Sequence, residues 1–187
     1  MKRALGLASA IVLLAVPARA GEGAGISLGY SFLRYLGEGG GNAPLGFYLS
    51  LAGRGATAIE LDLAYHRDRE RVIGGAIGVD ATLNSFTALL GPRFGHGASR
   101  YGRSSGTRPY FHLLGGLRYD RGTVLGVTDT QTSWGGMTGL GVDVKAGQGF
   151  SIRLAADFQM FFHSVDDALG TRTEKLKTLR FSAGLTF

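Results

Sequence analysis

Five acids and five bases stand at alternate positions of segments that are otherwise oily. Glu60 and Asp62 interleave with Ile59, Leu61 and Leu63, and Arg118 and Asp120 flank Tyr119. Asp143 and Lys145 flank Val144, Arg153 and Asp157 interleave with Ile152, Leu154 and Phe158, Arg93 precedes Phe94 and Arg180 precedes Phe181. Gathered into one narrow space, such groups must form ion pairs, because an unpaired charge in a low-dielectric interior costs several kcal/mol. His66, His112 and His163 fall on the same polar faces. A histidine beside a hydroxyl can instead activate a nucleophile. The nearest such group is "FFHSVDD", with His163, Ser164 and, further on, Glu174. Adjacent residues of a strand point to opposite faces, so His163 and Ser164 diverge and no enzyme is expected. "GEGGGN" does not stand between a strand and a helix, as a nucleotide loop must. With no cysteine and no His/Asp/Glu cluster at ligand spacing, neither a metal nor another cofactor is expected.

Period-two alternation fills the chain after residue 20 and predicts eight strands. They cover 25–35, 46–52, 57–66, 83–94, 109–120, 133–145, 150–163 and 179–187. The segments 36–45, 67–82, 95–108, 121–132 and 164–176 are rich in Gly, Ser, Thr and charge and read as connections. "VIGGAIGV" at 72–79 reads either as an extension of the fourth strand or as one more strand. No domain boundary or linker interrupts the pattern.

The first 20 residues, "MKRALGLASAIVLLAVPARA", have a charged start, an apolar run and the small-x-small end Ala18-Arg19-Ala20. This is the layout of a cleaved secretory signal peptide, leaving 21–187 as one domain. Cleavage removes Lys2, Arg3 and Arg19, so 17 bases face 14 acids and the net charge falls from +6 to +3. That balance gives little reason to expect a nucleic-acid partner. No later stretch reaches the roughly 18 apolar residues of a spanning helix. Glycine is abundant, with 32 residues against about 7% in an average domain. Gly29, Gly116, Gly139, Gly141 and Gly184 fall on polar faces and leave room for long arginines.

Two unlike faces admit two closures. Apolar faces turned inward give a soluble barrel with a greasy pocket; turned outward they give a transmembrane barrel. Three features favour the outward arrangement. In an up-and-down order, Phe47, Tyr65, Phe86, Tyr119, Trp134 and Phe162 gather at one rim, and Phe94, Phe111, Phe150 and Phe187 at the other, as membrane interfaces select. The ten polar-face charges balance, as a narrow lumen requires. Inward glycines clear space across that lumen.

The signal peptide, the eight segments and the closing "RFSAGLTF" resemble the small outer-membrane β-barrels of Gram-negative bacteria, the OmpA- and OmpX-type group. "SFTALLGPRF", "RPYFHLLGGLRYD" and "GLGVDVKAGQGFSIRLAADF" are similar to a branch described only as outer-membrane β-barrel domain proteins. The resemblance implies an all-β, eight-stranded antiparallel up-and-down barrel in the cell outer membrane. It implies that the C-terminal aromatic Phe187 is read by the barrel assembly machinery. It also makes "GHGASRYGRSSGTR" an unusually long connection for its side of the barrel.

The expected role is structural or interactional: envelope stability or surface contacts through loops, with a charge network filling the lumen. A narrow small-solute channel is the alternative, and a soluble ligand-binding barrel the second. Arg67, Arg69 and Arg71 form a basic run suited to the phosphates of lipopolysaccharide. The expected partners are outer-membrane lipid and lipopolysaccharide, with the chain monomeric.

Overall fold

A sheet whose strands alternate oily and polar residues has two chemically distinct faces, and closing it removes every unpaired edge. The computed structural model describes residues 24–36, 44–53, 56–74, 77–95, 106–167 and 170–187, and forms such a closed barrel. Its strands are β1 (Ala24–Tyr35), β2 (Leu45–Gly53), β3 (Thr57–Gly74), β4 (Ile77–Gly95), β5 (Thr107–Val124), β6 (Val127–Lys145), β7 (Ser151–Asp167) and β8 (Gly170–Thr186). Each runs antiparallel to its neighbours in sequence, and β8 pairs with β1 from Ser27↔Thr186 to Tyr35↔Thr178. This is the expected eight-stranded up-and-down barrel. The proposed signal peptide, residues 1–20, lies outside the described residues.

The oily side faces out. Leu28, Leu49, Leu90, Leu117, Leu140, Leu154 and Leu185 are exposed, as is Trp134 at 64%. Ser31, Ser50, Glu60, Asp62, Thr87, Arg118, Asp157 and Arg180 are buried inside. In water such an exterior would cost about 25 cal/mol per Å² of apolar surface. Hydrocarbon removes that cost, and the wall pairs its amides laterally, as lipid requires. The soluble-barrel alternative needs the opposite polarity and is overturned by this arrangement.

The outward aromatics form two bands. At the end where β1–β2, β3–β4, β5–β6 and β7–β8 turn (the hairpin end), Phe32 lies 5.2 Å from Phe181, Phe47 5.4 Å from Tyr65 and Trp134 4.9 Å from Phe162, between ring centroids. Phe86 and Tyr119 are cross-strand partners in the same band. At the opposite end, where Ala24 and Phe187 lie, Phe94 stacks on Phe111 at 6.3 Å, and Phe150 and Phe187 are exposed. On β5 the bands are eight residue steps apart, about 26 Å along the strand and about 20 Å in height at a tilt near 40°. That approaches the apolar thickness of an outer membrane.

The strands from β3 to β8 run further than their alternation indicates. Residues 67–74, 77–82, 121–124, 127–132, 164–167 and 170–176, expected as connections, are strand. "VIGGAIGV" is the tip of the β3–β4 hairpin, with Val72 opposite Val79 and Gly74 opposite Ile77. The β5–β6 hairpin turns on Leu125 and Gly126, at φ 52° and 80°, both left-handed as a two-residue hairpin turn demands. The reason for the missed length is physical. Past the aromatic band both faces meet water, so alternation fades, while Thr and Val still favour the pleat and the ladder continues. Residues 96–105 of the long "GHGASRYGRSSGTR" connection lie outside the described residues, and its last two, Thr107 and Arg108, already belong to β5.

Leu90 lies midway between Phe86 and Phe94 on the outward face of β4. Leu90→Arg is expected to destabilise the barrel by about 2–4 kcal/mol in reversible urea unfolding from lipid bilayers. Thr130→Arg, beyond the aromatic band, is expected to stay within about 0.5 kcal/mol of the parent.

Candidate functional site in the lumen

The inward positions of β3 to β8 carry most of the charges, and period-two geometry aims them at one axis. They meet as a ladder of alternating sign. Asp62 Oδ1 accepts from Arg180 Nη1 at 2.7 Å, and Arg180 Nε donates to Asp157 Oδ2 at 2.8 Å. Asp157 Oδ1 lies 3.0 Å from His112 Nε2, and His112 Nδ1 lies 3.0 Å from Glu60 Oε2. Arg153 then reaches Glu60 at 3.3 Å and Asp143 at 2.8 Å, and Arg93 closes the series on Asp143 at 2.7 Å. With acceptors at both ring nitrogens, His112 donates to both only when both carry hydrogen. In that form the four carboxylates face three guanidiniums and one imidazolium, and the ladder is neutral. Ser50 of β2 donates to Glu60 and accepts from Arg153 at 3.2 Å. The Arg180–Asp62 contact ties β8 to β3 across the lumen, bypassing β1 and β2.

Arg118 and Asp120 form a separate cluster nearer the hairpin end of β5. Arg118 Nε donates to both Asp120 oxygens at 2.9 Å, and Nη2 donates to Ser85 Oγ at 3.0 Å and to Tyr35 Oη at 3.1 Å. Lys145 stands apart, exposed at the end of β6. His66 Nε2 contacts Ser31 Oγ at 2.8 Å. His163 faces Glu174 at 3.6 Å, while Ser164 lies exposed on the other face of β7, so the three do not converge.

Sequence reasoning missed an oily layer between the two charged regions. Leu89, Leu114, Met137 and Phe161 point inward, each no more than 2% exposed, and Leu176 packs against them. Along β5 the inward side chains read His112, Leu114, Arg118, so this layer caps the ladder. Its signal was present in the doublets Leu89-Leu90, Leu113-Leu114 and Phe161-Phe162, since one member of each must turn inward. The glycine spaces are also filled otherwise than expected. A Cβ on Gly141 would strike the Tyr110 ring, one on Gly139 the Asp157 carboxylate and one on Gly184 the Tyr48 hydroxyl. Tyr110 in turn lies 3.8 Å from the Arg93 guanidinium carbon and 4.9 Å from that of Arg153, so the ring spaces the two cations.

Outside, Arg67 and Arg69 project from β3 just past Tyr65, exposed. Arg71 lies on the same strand opposite Asp80, with its side chain outside the described residues. Arg34, Arg121, Lys175 and Lys177 were not singled out from the sequence, yet each is exposed on the outward face at or just beyond the hairpin-end aromatics, with Lys175 directly opposite Phe162. Together with Arg67 and Arg69 they make a collar. Of the acids of this end, Asp68, Asp120, Asp129 and Glu174 fall on the inward phase of their strands, while Asp80 and Asp166, nearer the hairpin tips, hold outward-phase positions. No charged side chain stands on the outward phase at the opposite end among the described residues. Phe187 is half exposed there, its backbone paired with Ile26.

Arg180→Met leaves Asp62 and Asp157 buried without their shared cation, and is expected to cost about 3–5 kcal/mol in urea unfolding from micelles. Replacing Arg180, Asp62 and Asp157 together by Met, Leu and Leu is expected to cost less than Arg180→Met alone. A triple variant weaker than the single one would show that the ladder itself, not the avoided orphan charge, stabilises the lumen.

No family model and no curated protein matches the chain. Solved structures do. Neisserial surface protein A (NspA) superposes with a TM-score of 0.61 at 14% identity, covering 89% of this chain and 98% of that one. The attachment invasion locus protein Ail of Yersinia pestis, in complex with the heparin analogue sucrose octasulfate, gives 0.56 at 17% identity, covering 90% and 100%. The outer membrane protein OprG of Pseudomonas aeruginosa gives 0.54 at 17%, covering 89% and 95%. The chain has the fold of the small Gram-negative outer-membrane barrels, consistent with the OmpA- and OmpX-type group.

Proposed function

We propose that the protein is a sealed, non-enzymatic barrel of the outer membrane that serves envelope stability and surface contact rather than transport. The observation that carries this reading is the double closure of the lumen. The ion-pair ladder spans it from β3 to β8, and the layer of Leu89, Leu114, Met137 and Phe161 lies across it next to the ladder. A solute would have to break several buried ion pairs at once, and then displace a dry cluster. This weighs against the channel alternative. A complete wall needs no partner strand, which fits a monomer.

The collar of Arg34, Arg67, Arg69, Arg121, Lys175 and Lys177 suggests the orientation and the lipid partner. Guanidinium and ammonium groups just beyond an aromatic band meet headgroups, and planar forks suit phosphate. The hairpin end then faces the lipopolysaccharide leaflet, and the end with Ala24 and Phe187 faces the periplasm. Phe187 is there available to the assembly machinery during insertion.

Two measurements test the reading. The refolded barrel is expected to give no steady single-channel current in planar bilayers; stable openings would replace the sealed anchor with the channel. Replacing Arg67, Arg69, Lys175 and Lys177 by Gln is expected to lower lipopolysaccharide retained through detergent extraction at least about threefold. Unchanged retention would remove lipopolysaccharide as the partner.

A further inference from the structure

The strand ends opposite the hairpins enclose a vestibule of about 260 Å³, closed on its inner side by the ladder. Its inner wall is Arg93, Tyr110, Asp143 and Arg153; Arg108 and Lys145 stand at its mouth, and small residues such as Gly25, Gly106 and Gly147 complete the rim. The charge is unequal. Four cationic side chains line it against the single side-chain carboxylate of Asp143, and Phe187, the last residue of the sequence, brings its main-chain carboxylate to the rim. The Asp143 carboxylate is already taken, because it accepts from both Arg93 and Arg153. The ladder behind it neutralises itself. Arg108 and Lys145 therefore add charge that nothing on the inner wall balances. Both are exposed, and neither makes an ion pair among the described residues. The sequence between Gly95 and Gly106, which joins two strands at this end, contains no acid, and neither does the turn 146–150.

The inner wall is also rigid. Tyr110 is 5% exposed and holds the Arg93 and Arg153 guanidiniums on its ring, and Arg153 is 2% exposed. A pocket whose inner wall holds two paired guanidiniums in fixed positions, with two cations at its mouth that make no ion pair among the described residues, favours a compact anion with several oxygen atoms. Its volume lies just below the range of drug-sized sites, which suits a single headgroup or a small free oxyanion.

We propose that this vestibule binds a phosphate group, with Arg108 and Lys145 as its capturing residues and the Arg93–Tyr110–Arg153 stack as its base. The phosphate comes either from a soluble oxyanion or from a phospholipid headgroup at the same membrane level. This site lies at the end away from the basic collar and is independent of lipopolysaccharide contact there.

The test uses the mature barrel refolded in a sugar-headgroup detergent free of phosphate, titrated with pyrophosphate and followed by amide NMR. Saturable shifts are expected at Gly25, Gly106, Arg108, Lys145 and Gly147, with the collar residues unmoved. Arg108→Gln with Lys145→Gln is expected to weaken binding at least about tenfold, and Lys175→Gln with Lys177→Gln to leave it unchanged. Both pairs are exposed, and heat-modifiable gel mobility verifies that each variant is folded; Arg108→Gln alone serves if the double variant is not. Repeating the titration in phosphatidylglycerol nanodiscs separates the sources. Pyrophosphate shifts that vanish there indicate an occupying headgroup, and shifts that persist indicate a soluble ligand. An absence of saturable shifts in the detergent, or equal affinity in the Arg108→Gln variants, overturns the proposal.

Discussion

A protein wall inside hydrocarbon has no water to satisfy its amides, so each must be paired within the wall itself. That constraint selects a closed sheet, and the closed sheet dictates the rest. Strand pleating sends alternate residues to lipid and to lumen. Leu28 and Leu185 are direct partners on the outside, and Arg180 and Asp157 direct partners on the inside, because the same register serves both faces. A soluble domain of this size holds together around an oily core. Here lipid surrounds the oily side, and the interior must be built from what remains.

What remains is charge, and a narrow lumen punishes charge unless it is paired. Buried ion pairs roughly break even against an apolar filling of the same shape, whereas a single orphan is severe. The ladder from Asp62 to Arg93 avoids orphans by giving almost every member two partners of opposite sign. Its contribution is therefore partly one of specification. Arg180 to Asp62 and Arg153 to Glu60 join strands far apart in sequence, and only one register satisfies all of them together. The inward Leu89, Leu114, Met137 and Phe161 layer adds ordinary hydrophobic burial beside it.

The sequence was most legible where lipid and lumen impose opposite demands. Between the aromatic bands, strand count and the division of residues into two faces could be read from period two, while which face lies inside came from the aromatic bands, the balanced charges and the glycines. Beyond the hairpin-end band the demands converge, since water lies on both sides. There "RDRERVIG" and "VTDTQT" look like connections although both are strand. Inside the lumen, position along the axis was not legible. Lys145 shares the phase of Asp143 but sits past the last ring of the barrel, so it is exposed while Asp143 is 8% exposed. The collar was half legible. Arg67 and Arg69 stood out as a run, but Arg34, Arg121, Lys175 and Lys177 come from three other strands, and only the closed topology brings them to one height.

The division between lipid and lumen can be read directly from methyl groups. With the barrel in nanodiscs, NOEs from lipid acyl chains are expected at the leucine methyls of Leu28, Leu49, Leu90, Leu117, Leu140 and Leu154. None is expected at Leu33, Leu89 or Leu114. Acyl-chain contacts at the second set, or their absence from the first, would contradict an exterior solvated by hydrocarbon around an interior of paired charge.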